Sequence, residues 1–170
     1  MNITVQKDGA SYIADWGVGA RICAVGRTGI GKKEKEGDGL TPQGAWPLRR
    51  VFYRADKLAP PKTILPRAPT TPADGWCDAP GDPKYNQLVR LPYPASAEHM
   101  WHQDSLYDVV VVVGFNDSPV IQGAGSAIFL HIATPDYAPT AGCVALRKED
   151  LLEALAQWCE GDNVEIMAPL

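Results

Sequence analysis

A run of five consecutive valines, Val109–Val113, constrains the fold of this chain more than any other stretch. β-Branched side chains favour extended backbone, and a short continuous apolar run is typical of a strand that is covered on both faces. The polar residues 116–119, which include Pro119, form a turn signal just beyond the run. The sequence therefore predicts a central, doubly covered strand that ends before this turn.

Segments of strand character fill much of the rest of the chain. One helix is predicted over residues 148–158, because Leu151, Leu155 and Trp158 recur at helical spacing and Gly161 can end it. The expected fold is mostly β, a β-rich α+β class with mixed sheets and one packed C-terminal helix, in a single domain over residues 1–170. Further strands are predicted at residues 3–5, 11–15, 20–25, 45–53, 128–133 and 163–167, the first two as a hairpin.

Residues 54–98 are predicted to be irregular and are dense in proline: nine of the fifteen prolines fall between Pro60 and Pro94. A long segment without periodicity is unusual inside a compact domain unless it is functional or ordered by packing. Trp76, Tyr85 and Tyr93 indicate an ordered segment. Two interpretations stay open, in which the segment forms one wall of a substrate cleft or decorates the surface.

A histidine and a cysteine with the chemistry of a catalytic pair follow, His131 in an apolar run and Cys143 twelve positions later. A thiol is mostly protonated at neutral pH, and a nearby imidazole can convert it to the nucleophilic thiolate. Gly142 permits unusual backbone angles, and its N–H with that of Cys143 could stabilise an oxyanion. Each residue alone is more typical of a buried packing residue. Together they predict Cys143, His131 and Gly142 as the catalytic residues.

A second motif lies far upstream, where Thr41-Pro42-Gln-Gly44-Ala-Trp46 precedes a predicted strand. A Thr-Pro-x-Gly-x-aromatic segment, followed later by a histidine and a Thr-x-Gly-Cys turn, resembles the YkuD-type L,D-transpeptidase family. The resemblance extends from about residue 22 to the C-terminus. Two positions depart from it, since the family commonly has Gly soon after the histidine and Arg two positions after the cysteine. This chain has Ile132 and Ala145 there.

The resemblance implies a sheet-rich L,D-transpeptidase catalytic fold with the nucleophile in a cleft. Such enzymes attack the carbonyl between an L-centre and a D-residue, as between diaminopimelate and terminal D-alanine in murein stem peptides. Cys143 would form a thioester and D-alanine would leave. With water as acceptor the protein would be an L,D-carboxypeptidase of murein recycling, which trims tetrapeptide to tripeptide, and this is the first expectation. An amine acceptor would give a cross-linking L,D-transpeptidase, and a non-catalytic murein-peptide binding protein is the alternative of another class.

Four further residues are expected to bind substrate. Thr140 belongs to the cysteine turn, and Arg147 is the next basic residue after the position of the missing family arginine, so whether it takes that place stays open. His102 and Asp104 precede the valine strand, where they would hydrogen-bond substrate or cap the strand. The substrate partner is expected to be a murein tetrapeptide or muropeptide.

No cofactor and no metal are expected, because the four cysteines show no paired spacing. A zinc site that uses them with His99, His102 or His131 lacks a supporting motif. Free thiols are expected instead, with Cys23 and Cys159 packed in the core.

The net charge of −4 gives no reason to expect nucleic acid or an anionic membrane as partner. The chain begins Met1-Asn-Ile without a charged start followed by an apolar export segment, and no apolar stretch is long enough to span a bilayer. If Met1 is the native start, a cytoplasmic location is expected.

Overall fold

The computed structural model describes residues 1–169, which form fourteen strands and one helix, α1 (Lys148–Gln157). The prediction of a mostly β chain with a single C-terminal helix is confirmed within these residues. The strands are β1 (Ile3–Asp8), β2 (Ser11–Asp15), β3 (Arg21–Ala24), β4 (Ile30–Gly31), β5 (Thr41–Pro42), β6 (Gly44–Tyr53), β7 (Arg67–Pro69), β8 (Asp74–Cys77), β9 (Leu88–Arg90), β10 (Ala97–His99), β11 (Val109–Val113), β12 (Phe129–Ile132), β13 (Val144–Leu146) and β14 (Asn163–Ile166).

Nine strands form the main sheet in the order β11-β12-β13-β3-β2-β1-β14-β6-β7, and β11 also pairs with β6. The eight strands from β11 to β6 in this order therefore form a closed ring of paired strands. β7 lies outside this ring and pairs with β6. The sheet is mixed, because the pairs β12–β13, β1–β14 and β6–β7 are parallel and its other pairs are antiparallel. Two smaller sheets, β10-β8-β9 and β4-β5, complete the fold.

The valine strand β11 is buried along its whole length, as predicted, and lies between β6 and β12. Alternate side chains point to opposite faces of a strand. Val109, Val111 and Val113 pack in the main core, whereas Val110 and Val112 pack in a second cluster with Phe129 and Cys143. This strand therefore separates the main core from the cluster that carries the predicted nucleophile.

The predicted helix is confirmed, with Leu151, Leu155 and Trp158 buried in the main core. It ends at Gln157, because Trp158 already has extended backbone, so Gly161 lies in the turn that follows. All four cysteines are free; Cys23 is buried as predicted, but Cys159 is exposed. The prediction that Cys159 packs in the core is wrong, because the helix has ended before it and its side chain no longer follows the apolar face.

The irregular segment at residues 54–98 contains more regular structure than predicted. It supplies β7 and the whole three-stranded sheet β10-β8-β9. These strands are only three or four residues long, too short to show a two-residue period in sequence. Trp76 is buried and donates its indole N–H to Asn86 at 2.9 Å, which fixes β8 against the segment that follows.

Within residues 1–169, no helix has both the length and the apolar character needed to span a membrane.

Candidate active site

A cavity of about 360 Å³ opens beside strand β12 and the turn that leads into β13. Cys143, His131 and Thr140 lie on one side of it. The lining also includes residues from the segment at 54–98, namely Asp78 and Glu98. This placement agrees with the interpretation in which that segment forms a wall of the cleft.

The strand register brings the histidine and the cysteine to the same face. β12 and β13 run parallel, with His131 opposite Ala145 and Leu130 opposite Val144. Leu130 and Val144 point into the main core, so their neighbours point the other way, toward the cluster that contains Phe129 and Cys143. His131 in β12 and Cys143 in the turn just before β13 consequently line one cavity, as a nucleophile and its base require.

The Cys143 thiol is almost completely buried, at 7% exposure. Its sulfur accepts the Phe129 N–H at 3.4 Å and its S–H is directed to the Ala127 carbonyl at 3.3 Å. Burial raises the pKa of Cys143 to about 12, because the thiolate would lose its hydration. The resting nucleophile is therefore a neutral thiol held by backbone groups.

His131 is held in the tautomer that a general base needs. Its Nδ1 lies 2.9 Å from the Ile132 carbonyl, which can only accept, so Nδ1 carries the proton and Nε2 keeps its lone pair. Burial lowers the pKa of His131 below its usual 6.5, so the ring is neutral at pH 7. The Tyr107 ring lies 5.2 Å from the imidazole and restrains it.

The two sequence motifs meet at one buried hydroxyl. Thr41, with no exposed surface, donates its hydroxyl to the Gly142 carbonyl at 2.8 Å and accepts the Gly26 N–H at 2.8 Å. Gly142 has φ of +144°, and a Cβ there would lie 2.9 Å from the Leu40 carbonyl oxygen. Glycine is therefore required before the cysteine both by backbone conformation and by the close approach of the Thr41 segment.

Thr140 shapes the cysteine turn from within. Its hydroxyl accepts the Gly142 N–H at 3.1 Å and donates to the Cys143 carbonyl at 2.6 Å. Because the Gly142 N–H is already engaged, the oxyanion role predicted for it is not available in this conformation. The Cys143 N–H has no acceptor among residues 1–169 and is the backbone donor left for an oxyanion.

The other predicted binding residues divide into two groups. His102 lines the cavity, where its ring stacks on Tyr107 at 4.0 Å and its Nε2 lies 3.0 Å from the His99 carbonyl. Asp104 is exposed outside the lining and accepts the Leu106 N–H at 2.9 Å. Arg147 is also exposed outside it, 3.6 Å from Glu149. The structure brings His102 and Thr140 to the site. Asp104 lies at its edge, with its carboxylate 3.5 Å from Nδ1 of His102, and Arg147 lies away from it.

Two residues of the site had no signal of their own in the sequence, Tyr107 and Glu98. The Tyr107 hydroxyl donates to the Glu98 carboxylate, and the Tyr107 side chain belongs to the same buried cluster as Cys143. Burial raises the pKa of Tyr107, so the hydroxyl keeps its proton. The only sequence clue to Tyr107 is its place in the polar cluster that precedes the valine strand.

The model of the L,D-transpeptidase catalytic domain family, YkuD, matches residues 3–166, which is nearly the whole chain. The chain belongs to this family. Members are cysteine-dependent enzymes of the L,D-transpeptidase type and act on peptidoglycan peptides. Neither the curated proteins nor the solved structures contain a match to the chain. The resemblance carried by the two motifs is thus confirmed, and it agrees with the cleft in which Cys143 and His131 meet.

Proposed function

We propose that the protein is an L,D-carboxypeptidase that removes the terminal D-alanine from murein tetrapeptide stems and leaves a tripeptide. The observation that supports this proposal is the neutral His131 ring, whose free Nε2 shares the cleft with the Cys143 thiol. The Thr41 hydroxyl donates to the Gly142 carbonyl and so fixes the backbone just before the nucleophile.

The first half of the reaction forms a thioester. Cys143 turns from the Ala127 carbonyl to Nε2 of His131, which takes the thiol proton as sulfur attacks the carbonyl of the L-centre. The Cys143 N–H faces the developing oxyanion. The imidazolium then gives its proton to the amine of D-alanine, and the bond between carbonyl carbon and nitrogen breaks.

The second half returns the free enzyme. Neutral His131 takes a proton from water while the hydroxide attacks the thioester carbonyl, and the thiolate leaves and is reprotonated. A cavity of about 360 Å³ is near the lower end of the range for ligand sites, which suits one stem and a water molecule better than two stems. The wall built from the segment at 54–98 adds to this restriction.

Cross-linking with an amine as acceptor is the second candidate, and family membership supports it. The test is incubation of the purified protein with a disaccharide tetrapeptide, with and without abundant acceptor amine, followed by chromatography of the products. We expect tripeptide and D-alanine with little dimer in both cases, and none from a Cys143→Ala control. A dominant cross-linked dimer at modest acceptor concentration would overturn the carboxypeptidase proposal in favour of the transpeptidase.

A cytoplasmic location and a role in murein recycling are part of the same proposal. Hydrolysis of a released stem requires no assembled wall, which is the physical reason for placing the reaction there. Fractionation of cells, with the protein followed by an antibody, tests it: recovery outside the cytoplasmic fraction would contradict the location without affecting the chemistry of Cys143.

A further inference from the structure

A second cavity, of about 220 Å³, lies next to the catalytic one, and Ile128 lines both of them. Val112 also lines the second cavity and belongs to the buried cluster that contains Cys143. The second cavity therefore lies on the same face of the main sheet as the nucleophile. Two consecutive arginines, Arg49 and Arg50, supply its cationic groups. We call this cavity the arginine pocket.

A β-bulge explains why two consecutive residues of β6 reach the same cavity. In the ladder between β6 and β11, Val112 lies opposite Arg50. The next residue, Val113, lies opposite Leu48, so Arg49 is an extra residue in β6. Successive side chains of a regular strand point to opposite faces, and a bulge re-aims one of them. The bulge therefore brings both guanidinium groups to the arginine pocket.

Only one of these two arginines has an acidic partner. Arg49 makes a paired contact with Asp117, from Nε at 2.8 Å and from Nη2 at 3.0 Å. None of the ion pairs within residues 1–169 includes Arg50. Its guanidinium instead lies 4.7 Å from the centre of the Phe52 ring, in a cation–π contact that holds it in place. Within the described lining Asp117 is the one acid, so the arginine pocket carries one uncompensated positive charge.

The outer end of the Arg50 side chain is accessible from the pocket. Its guanidinium donates no hydrogen bond to another side chain of residues 1–169, and only its Nε is both buried and unpartnered. The two terminal nitrogens therefore have accessible surface, and both carry N–H donors. Coplanar N–H donors of a guanidinium match the two oxygens of a carboxylate. A carboxylate in the arginine pocket would gain both the charge and this geometry.

We propose that the arginine pocket binds a carboxylate of the stem peptide that has no ammonium group beside it. This inference rests on the proposed function. A pocket with one positive charge attracts an isolated anion, whereas the side-chain end of diaminopimelate carries an amine beside its carboxylate and has no net charge. The γ-linked glutamate before diaminopimelate has such an isolated carboxylate. The arginine pocket would therefore recognise the glutamyl carboxylate of the donor stem.

The strand register places Arg50 at a suitable distance from the nucleophile. Arg50 lies opposite Val112, and Val112 lies opposite Phe129. The Phe129 N–H in turn donates to the Cys143 sulfur. Three strand spacings, about 14 Å in all, thus separate the backbones of Arg50 and Cys143. An extended residue spans about 3.5 Å, so the carboxylate of D-alanine stays beside the nucleophile. The glutamyl carboxylate lies farther along the stem, within reach of a long arginine side chain.

The test is calorimetric binding of a diaminopimelate tripeptide, which the proposed reaction does not consume. The peptide is supplied with the glutamyl carboxylate free or converted to its amide, which has nearly the same size but no charge. Wild-type protein is compared with Arg50→Gln. Lys62→Gln is the matched control, because Lys62 is an exposed cation outside the lining of both cavities. Thermal unfolding of each variant checks the fold.

We expect the amide to bind wild type and the control about tenfold or more weakly, as for a lost charge-assisted hydrogen bond. In Arg50→Gln the ratio of the two affinities should fall toward one, and high salt should lower it in wild type. If Arg50→Gln does not fold, Arg50→Lys replaces it and should lower the ratio, because an ammonium group cannot make the paired contact. Equal affinities in wild type, or an unchanged ratio in the folded variant, overturn the subsite.

Failure of the free-carboxylate tripeptide to bind wild type also overturns the subsite. Release of D-alanine from the two corresponding tetrapeptides, measured on the same preparation, separates this inference from the proposed function. Equal kcat/KM for the two tetrapeptides overturns the subsite and leaves the carboxypeptidase. Discrimination in binding without any release of D-alanine keeps the subsite and overturns the carboxypeptidase.

Discussion

The two walls of the cleft are built in opposite ways. The wall with Cys143 and His131 is built from β12 and the turn into its neighbour β13, and both of its reactive groups are buried and neutral. Another part of the lining carries the carboxylates Glu36, Asp78 and Glu98, which come from three separate segments and are held by side-chain hydroxyls. One wall therefore depends on backbone register, and the other on contacts between side chains.

This difference separates the neutral reactive groups from the charged groups of the cleft. A neutral thiol and a neutral imidazole coexist in a buried place at little electrostatic cost, and charge appears only when substrate arrives. Glu36, Asp78 and Glu98 are only partly buried, so water can stabilise their charges. Variants of Cys143 and His131 should therefore change the rate of acylation most.

The largest effect should come from Cys143→Ala, which removes the nucleophile and should abolish D-alanine release and covalent labelling by a carbapenem. The backbone around it is fixed by Thr41 and Thr140, so the fold should be retained. Mass spectrometry and thermal unfolding measure the two outcomes. Cys23→Ala, Cys77→Ala and Cys159→Ala serve as controls and should all be labelled; loss of labelling in one of these would identify a different sulfur.

The next largest effect should come from His131→Ala, which should slow acylation by about 10²–10⁴-fold because the proton acceptor is lost. His102→Ala should cost less, since that ring stacks on Tyr107 rather than on the nucleophile. Stopped-flow acylation by a carbapenem measures both rates. The reverse order would make His102 the base.

The pH profile of wild-type acylation should reflect the same burial. The depressed pKa of His131 means that the base stays neutral through pH 6.5 and loses activity only on protonation at lower pH. The acid limb should therefore lie below the usual histidine value. A limb centred above 6.5 would show that the imidazole is stabilised as a cation, contrary to its buried position.

A smaller effect should follow from Thr41→Val, which keeps the shape but leaves the Gly26 N–H and the Gly142 carbonyl without their partner. We expect a loss of about 1–3 kcal/mol in the free energy of unfolding, the usual cost of unsatisfied buried groups. Acylation should slow as well, because Gly142 precedes the nucleophile. Denaturant unfolding checks the first outcome. Thr28→Val is the control, since its hydroxyl bonds Asp38 at an exposed position and should change stability by less than about 0.5 kcal/mol.

The difference between backbone register and side-chain contacts also explains which features the sequence could predict. The Val109–Val113 strand, the α1 helix and the His131–Cys143 pair depend on local patterns or a motif, and the structure contains all three elements. Tyr107 and Glu98 could not be recognised, because their role arises from a contact between β10 and the residues before β11. The sequence also predicted the N–H groups of Gly142 and Cys143 as oxyanion donors. In the structure the Thr140 hydroxyl accepts the Gly142 N–H, and residue types alone do not reveal this detail of the turn.

The smallest effect should come from Arg147→Ala, which tests whether this side chain takes the place of the missing family arginine. The Arg147 side chain is 63% exposed, and its partner Glu149 is 72% exposed, so the pair contributes little to stability. Because the guanidinium lies outside the cavity lining, it should not contact a bound stem. We expect kcat/KM for D-alanine release to stay within about twofold of wild type, the effect of a typical surface substitution. Glu149→Ala is the matched control, since it removes the same ion pair while keeping the arginine. A loss of tenfold or more in Arg147→Ala alone would show that the side chain swings into the cleft when substrate binds, and recognition would then depend on both walls.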